Sequence, residues 1–194
     1  MMKKALLSLI AVVLATACQS LPDTTLPELR YNHLAPLALN VGAIEVVSEY
    51  AAPMKAPNVE HTLTVSPESA FKTWVTDRVK ASGQTFKARF VVKDARIVEV
   101  PLAMTKGIKG VFTKDQSERY EAVLDVVVSV LDETGGSMGS ATTKVTRSIT
   151  VPEDINLNDR ERTLFEMTEA LMVDFNKTFE QKIRTYLGKF IAGS

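Results

Sequence analysis

"ERYEAVLDVVVSVLDETGGSMGSATTKVTRSITV" (residues 118–151) reads as two strands joined by a tight turn. Ala122, Leu124, Val126, Val128 and Val130 recur at every second position, the period that places side chains on one face of a strand. "DETGGS" follows, and Gly135-Gly136 supply the positive φ that such a turn requires. The return strand is expected from about Ser140 to Val151. Its Thr142, Lys144, Thr146 and Ser148 form a polar face, so one side of the sheet is expected to be wet. The apolar side needs a cover, and the flanking sequence has to provide it.

Downstream, Pro152 ends the strand and "EDINLNDRERTLFEMTEALMVDFNKTFEQKIRTYLGKF" (residues 153–190) reads as a long helix beginning near Asn158 or Asp159. Leu164, Thr168, Leu171, Phe175, Phe179, Ile183 and Leu187 step mostly by four, and Met167, Met172 and Tyr186 widen the stripe. A long amphipathic helix buries such a stripe against a sheet; a lipid-binding surface is the other reading of the same residues. Upstream, "SPESAFKTWVTDRVKASG" (residues 66–83) carries a helix start. Ser66 is a good N-cap, Pro67 suits the first helical position and Glu68 suits the positive end of the dipole. Phe71, Val75 and Val79 share a face with Ala70 and Trp74 beside it, and Gly83 is expected to close the helix. "TFKARFVVKDARIVEVPL" (residues 85–102) is a long strand bent near Asp94-Ala95, with Phe86, Ala88, Phe90 and Val92 on one side and Lys87, Arg89 and Lys93 on the other. "LNVGAIEVVSEY" (residues 39–50) is the first strand, and Pro53 and Pro57 mark an irregular connection after it. The expected fold is α+β: one mainly antiparallel sheet of about four strands with two helices packed on one face.

The N-terminus gives the chain an address. Met1-Met2-Lys3-Lys4 is a short positive region, and Ala5 to Ala17 carry no charge, the layout of a secretory signal too short to span a bilayer. The chain's one cysteine, Cys18, stands at the end of that run. Ala15-Thr16-Ala17-Cys18 resembles the lipobox of bacterial lipoproteins. The resemblance implies diacylglyceryl modification of Cys18, cleavage just before it and acylation of the new amine, which together anchor stably. Gln19 rather than aspartate after the cysteine implies the outer membrane. We therefore expect a lipoprotein signal peptide over residues 1–17, a lipidated tether over 18–38 with Pro22, Pro27 and Pro36, and a single periplasmic domain over 39–190. No thiol is left for a disulfide, so stability has to come from a core. Without Lys3 and Lys4 the chain has 21 basic and 23 acidic residues, a net of −2. That balance offers nothing to nucleic acid.

Catalytic chemistry finds little purchase. His33 and His61 are the only histidines and lie outside any ligand-spaced cluster. There is no nucleophile elbow, phosphate loop or dinucleotide fingerprint. Asp115, Glu118, Glu121 and Asp125 read as solvated carboxylates rather than an acid/base pair. No catalytic residue, metal site or cofactor is expected. The stretch "AMTKGIKGVFTKDQSERY" (residues 103–120) stands out instead. Gly107 and Gly110 bracket Ile108-Lys109, and Val111-Phe112 follow. Such apolar residues either tuck under the sheet edge or stand exposed. Exposed, Ile108, Val111 and Phe112 would be anchors for a partner or a lipid, with Arg119 and Tyr120 beside them.

The lipobox, the tether, the "SPESAFKTWVTDRVKASG" helix, the hairpin opened by "ERYEAVLDVVV" and the C-terminal amphipathic helix resemble the auxiliary lipoproteins of ABC-type transport systems, the Mce- and Pqi-type lipid transporters of Gram-negative envelopes. The resemblance covers residues 39–190 in layout. It implies a non-catalytic docking subunit on the periplasmic face of the membrane, with envelope proteins and lipid as partners. The lipopolysaccharide-assembly lipoprotein that plugs an outer-membrane barrel has a similar architecture. An envelope-assembly role, in lipopolysaccharide or peptidoglycan machinery, is therefore the alternative, and an enzyme with a site elsewhere is the third reading.

Overall fold

The computed structural model describes residues 26–102, 116–152 and 154–193. In chain order the elements are β1 (Leu37–Leu39), β2 (Ala43–Ser48), α1 (Pro67–Arg78), β3 (Val79–Ala81), β4 (Lys87–Asp94), β5 (Ile97–Pro101), β6 (Gln116–Leu131), β7 (Ser137–Pro152) and α2 (Leu157–Leu187). The hairpin is the expected one: β6 and β7 pair antiparallel from Gln116↔Pro152 to Leu131↔Ser137. Its turn is held by Asp132, whose carboxylate accepts from the N–H groups of Thr134 and Gly136 at 2.9 and 2.7 Å. Gly135 takes the positive φ of 86°.

The sheet differs from the expected one. It has five strands and mixed orientation, not about four mainly antiparallel ones. β2 runs parallel to β4, from Ala43↔Lys87 to Ser48↔Val92. A parallel neighbour requires a long crossover, and the segment that contains α1 is that crossover. The fifth strand arises because the long strand breaks where its bend was expected. β4 pairs with β6 from Lys87↔Leu131 to Asp94↔Asp125, and β5 resumes from Ile97↔Ala122. Both lie on the edge of β6 that β7 leaves free. β1 and β3 form a separate two-stranded parallel ladder.

Both helices cover one face, as expected. Ser66 caps α1 by accepting from the Ser69 N–H at 3.2 Å, and Asn156 caps α2 through Asp159 N–H at 2.9 Å. Between helices and sheet lies an aromatic cluster. Trp74 meets Phe175 and Phe179 edge-on at 5.3 and 5.1 Å, and Phe71 meets Phe175 at 5.4 Å and Phe90 of β4 at 6.2 Å. All five rings are fully buried. The stripe of α2 is buried from Leu164 to Leu187, except that Tyr186 is 59% exposed. Gly83 does not end α1: the helix stops at Arg78 and runs straight into β3. The glycine serves close approach instead, since a Cβ there would lie 2.7 Å from the Asn40 backbone carbon and 2.8 Å from Val41 N.

The N-terminal strap, assigned to the tether, is part of the folded domain from about Leu29 onward. Leu29 and Leu34 pack on the core and Tyr31 is buried. The Arg30 guanidinium forks onto Asp77 at 2.9 and 2.7 Å, and the Tyr31 N–H donates to the same carboxylate at 2.9 Å. Arg78, buried against the Trp74 ring, donates to the Ala35 carbonyl at 3.0 Å and to Asn176 and Glu180 of α2. The strap is therefore clamped to both helices before β1 begins.

Candidate functional site

Strand alternation separates the two site residues that the sequence put together. Arg119 and Tyr120 are neighbours in β6, so they face opposite sides of the sheet. Tyr120 lies on the helix side, 1% exposed. Arg119 lies on the uncovered side, ion-paired with Glu121 at 2.6 Å. Ile108, Val111 and Phe112 lie outside the described residues, as does Cys18. The chain leaves β5 after Pro101 and re-enters at Gln116, beside both residues, since Pro101 pairs with Glu118.

Tyr120 sits at the base of a cleft of about 320 Å³ between β5, β6, the turn at Glu60–Thr62 and the first turns of α2. Val59, Leu63, Leu157 and Leu164 give it apolar walls. Glu99, Tyr120 and Arg160 supply polar groups to its lining, and Glu118 bonds to the last two. The Tyr120 hydroxyl lies 2.8 Å from Glu118 and 3.0 Å from Glu99. A phenol carries one proton, so it donates to one carboxylate at a time. Arg160 reaches the same Glu118 oxygen at 2.9 Å and offsets part of the charge. Burial, then the two neighbouring carboxylates, push the Tyr120 hydroxyl well above its ordinary pKa, so it stays a neutral donor.

Behind the cleft, Glu60 is a buried carboxylate with its partners in place. The Ile97 N–H donates to it at 3.0 Å, the Tyr50 hydroxyl at 2.5 Å and the Asn58 amide at 3.3 Å. Burial works against its charge; the donors outweigh that cost and hold its pKa below the usual carboxylate range. Glu60 fastens the irregular segment 53–65 to β5 rather than offering an acid to a substrate. Sequence reasoning missed Glu60, Glu99 and Arg160, which come from three distant segments. The one local signal was the i, i+2 spacing of Glu118 and Tyr120. Among the described residues, no group of three histidines, cysteines or carboxylates is placed to hold a metal.

The uncovered sheet face carries a second constellation. Val47, Val91 and Val127 are register partners across β2, β4 and β6, and Thr142 of β7 continues the row. The valines are half-buried and no described element lies over them. Charged pairs flank the row: Arg89 and Glu45 at 2.9 Å on one side, Lys144 and Asp125 at 3.9 Å and Lys93 with Glu49 on the other. Asp125 Oδ1 and Arg119 Nε are buried on this face without a hydrogen-bond partner among the described residues. The arrangement is an apolar bar between two ionic rails, a surface that can bind but has no group placed for chemistry.

No family model matches this chain, and no curated protein does. Solved structures similar to it include the following two. A minor lipoprotein from Acinetobacter baumannii is 13% identical over 75% of this chain and 91% of its own, with a TM-score of 0.35. A Xanthomonas campestris protein of the family DUF330 is 9% identical over 82% of this chain and 92% of its own, also with a TM-score of 0.35. Likenesses this loose define neither the fold nor the role of the chain.

Proposed function

We propose that this chain is the periplasmic, lipid-anchored docking subunit of an ABC-type lipid-transport system in a Gram-negative envelope, held by Cys18 to the outer membrane and without catalytic activity. The observation that carries the docking role is the uncovered valine row. Three apolar side chains in register on an open sheet face, between ion pairs, favour a protein partner over water. The resemblance in layout to transport auxiliary lipoproteins supplies the kind of partner. The lipobox-like Ala15–Cys18 supplies the anchor, and no described helix is long and apolar enough to cross a membrane. Arg119 borders the open face. Ile108, Val111 and Phe112 belong to the same proposed contact surface, and Tyr120 is reachable by a partner only through the cleft.

The test is affinity purification from detergent-solubilised membranes followed by mass spectrometry. A transport permease and its ATPase should co-purify with the wild-type chain. They should be lost with Val47→Ser/Val127→Ser or with Ile108→Ser/Phe112→Ser, while the melting temperature of each variant stays near that of the wild type. Recovery of lipopolysaccharide-export or peptidoglycan-synthesis proteins instead would replace the transport role by the assembly role. Capture unaffected by the valine substitutions would remove the sheet face from the interface.

A further inference from the structure

The Tyr120 cleft holds one acceptor more than its donors can serve. Glu99 and Tyr120 are register partners across β5 and β6, so their side chains stand together on the helix side of the sheet. The Tyr120 hydroxyl has a single proton for Glu99 and Glu118. Whichever carboxylate takes it, the other faces a phenol oxygen. Glu118 also holds Arg160, whereas Glu99 has no ion-pair partner among the described residues. The remaining polar groups of the lining do not serve it. The Thr62 hydroxyl donates to the Val59 carbonyl at 2.8 Å, and Glu161 is itself an acceptor, bonded by the Thr64 hydroxyl. Glu99 is only partly exposed, so water reaches it from one side. The rest of the cleft is aliphatic: Val59, Leu63, Leu157 and Leu164. Leu157, the first residue of α2, is 77% exposed and forms an apolar rim.

The missing donor and the aliphatic walls define a ligand together. A small hydrated cation gains nothing from four hydrocarbon side chains, and an uncharged hydrocarbon leaves Glu99 as it is. A primary ammonium at the end of an aliphatic chain answers both. Its N–H groups and charge suit Glu99 and the phenol oxygen, and its methylenes suit the walls. The volume, about 320 Å³, lies at the lower end of the range for small-ligand sites. The positive end of the α2 dipole points the same way, but the first turn carries its own countercharge in Asp159. We propose that the Tyr120 cleft binds an aliphatic primary ammonium, with the nitrogen on Glu99 and the chain between Val59, Leu63, Leu157 and Leu164. A free alkylamine and a lysine side chain share this chemistry. The inference depends neither on acylation of Cys18 nor on docking at the open sheet face. It gives the helix side of the domain a binding role of its own.

The test uses the chain from Gln19 onward, which keeps every core residue described above and lacks both the leader and the thiol. n-Hexylamine is titrated in at neutral pH and followed by backbone amide NMR shifts. Saturable shifts should centre on Leu63, Tyr120 and Leu157. n-Hexanol, the same chain without the charge, should bind about tenfold more weakly, and n-propylamine, the same charge with a shorter chain, also about tenfold more weakly. Glu99→Gln keeps an acceptor for Tyr120 and should weaken n-hexylamine about tenfold with an unchanged melting curve. Glu121→Gln, a carboxylate on the opposite face, should leave the affinity as it is. Leu157→Ser, at an exposed position, should narrow the gap between n-hexylamine and n-propylamine. Nα-acetyl-lysine N-methylamide separates the two sources. Affinity equal to that of n-butylamine supports a lysine side chain as the occupant, and affinity about tenfold lower supports a free amine. Equal binding of n-hexanol and n-hexylamine, an affinity indifferent to Glu99→Gln, or shifts that map away from the cleft would each overturn the proposal.

Discussion

Glu60 shows how one residue can carry a long irregular segment. Its pKa is lower in the folded chain than in the unfolded one, so the folded state binds fewer protons in that window. The stabilisation is complete above the unfolded carboxylate value of about 4.3 and drains away as pH falls through the folded value. Glu60→Gln should therefore destabilise at neutral pH, and the gap to wild type should narrow on acidification to about pH 3. A gap that stays constant in melting curves across that range would mean that Glu60 is not the ionised acceptor described here. Tyr120 invites a similar experiment. Tyr120→Phe removes the donor that faces two carboxylates and should cost about 1.5–3 kcal/mol in denaturant unfolding. A loss below about 0.5 kcal/mol would place those carboxylates in water rather than on the hydroxyl.

Local pattern specified most elements and few of their long-range pairings. The alternation of Ala122 to Val130 and the glycine turn made the hairpin legible, and Ser66-Pro67 marked the start of α1. One side chain bears directly on that packing. Phe175 is enclosed by Phe71, Trp74 and Phe179, and Phe175→Ala should cost about 3–5 kcal/mol; a melting shift no larger than that of Lys177→Ala would contradict the packing. What the pattern left out was non-local. The parallel pairing of β2 with β4 depends on a crossover of 38 residues between Ser48 and Lys87, and nothing in either strand announces its direction. Gly83 sat where a helix-closing glycine belongs, yet it answers to Asn40 and Val41. Gly42 makes the matching contact, where a Cβ would meet the Gln84 carbonyl at 2.6 Å. Gly42→Ala should accordingly lose about 1–3 kcal/mol, and an unchanged melting temperature would show that the two loops are not clamped. The cleft was illegible for the same reason: Glu99, Glu118 and Arg160 become neighbours only after β5, β6 and α2 are assembled.

At the scale of the whole molecule, one face of the sheet is closed by helices and the other is open, and the strap ties the N-terminal approach to the helical layer. Under the proposed anchor, the domain would present its open face and its cleft to other envelope components. Acylation of Cys18 is the claim from which the proposed membrane address follows. The most direct measurement is metabolic labelling with an alkyne palmitate analogue, followed by membrane fractionation, on the wild type and on Cys18→Ser. The wild type should be labelled, shortened by the leader and recovered with membranes, whereas Cys18→Ser should be unlabelled and either soluble or retained as the uncleaved precursor. A Cys18→Ser chain that is still labelled, processed and membrane-bound would contradict the lipoprotein reading.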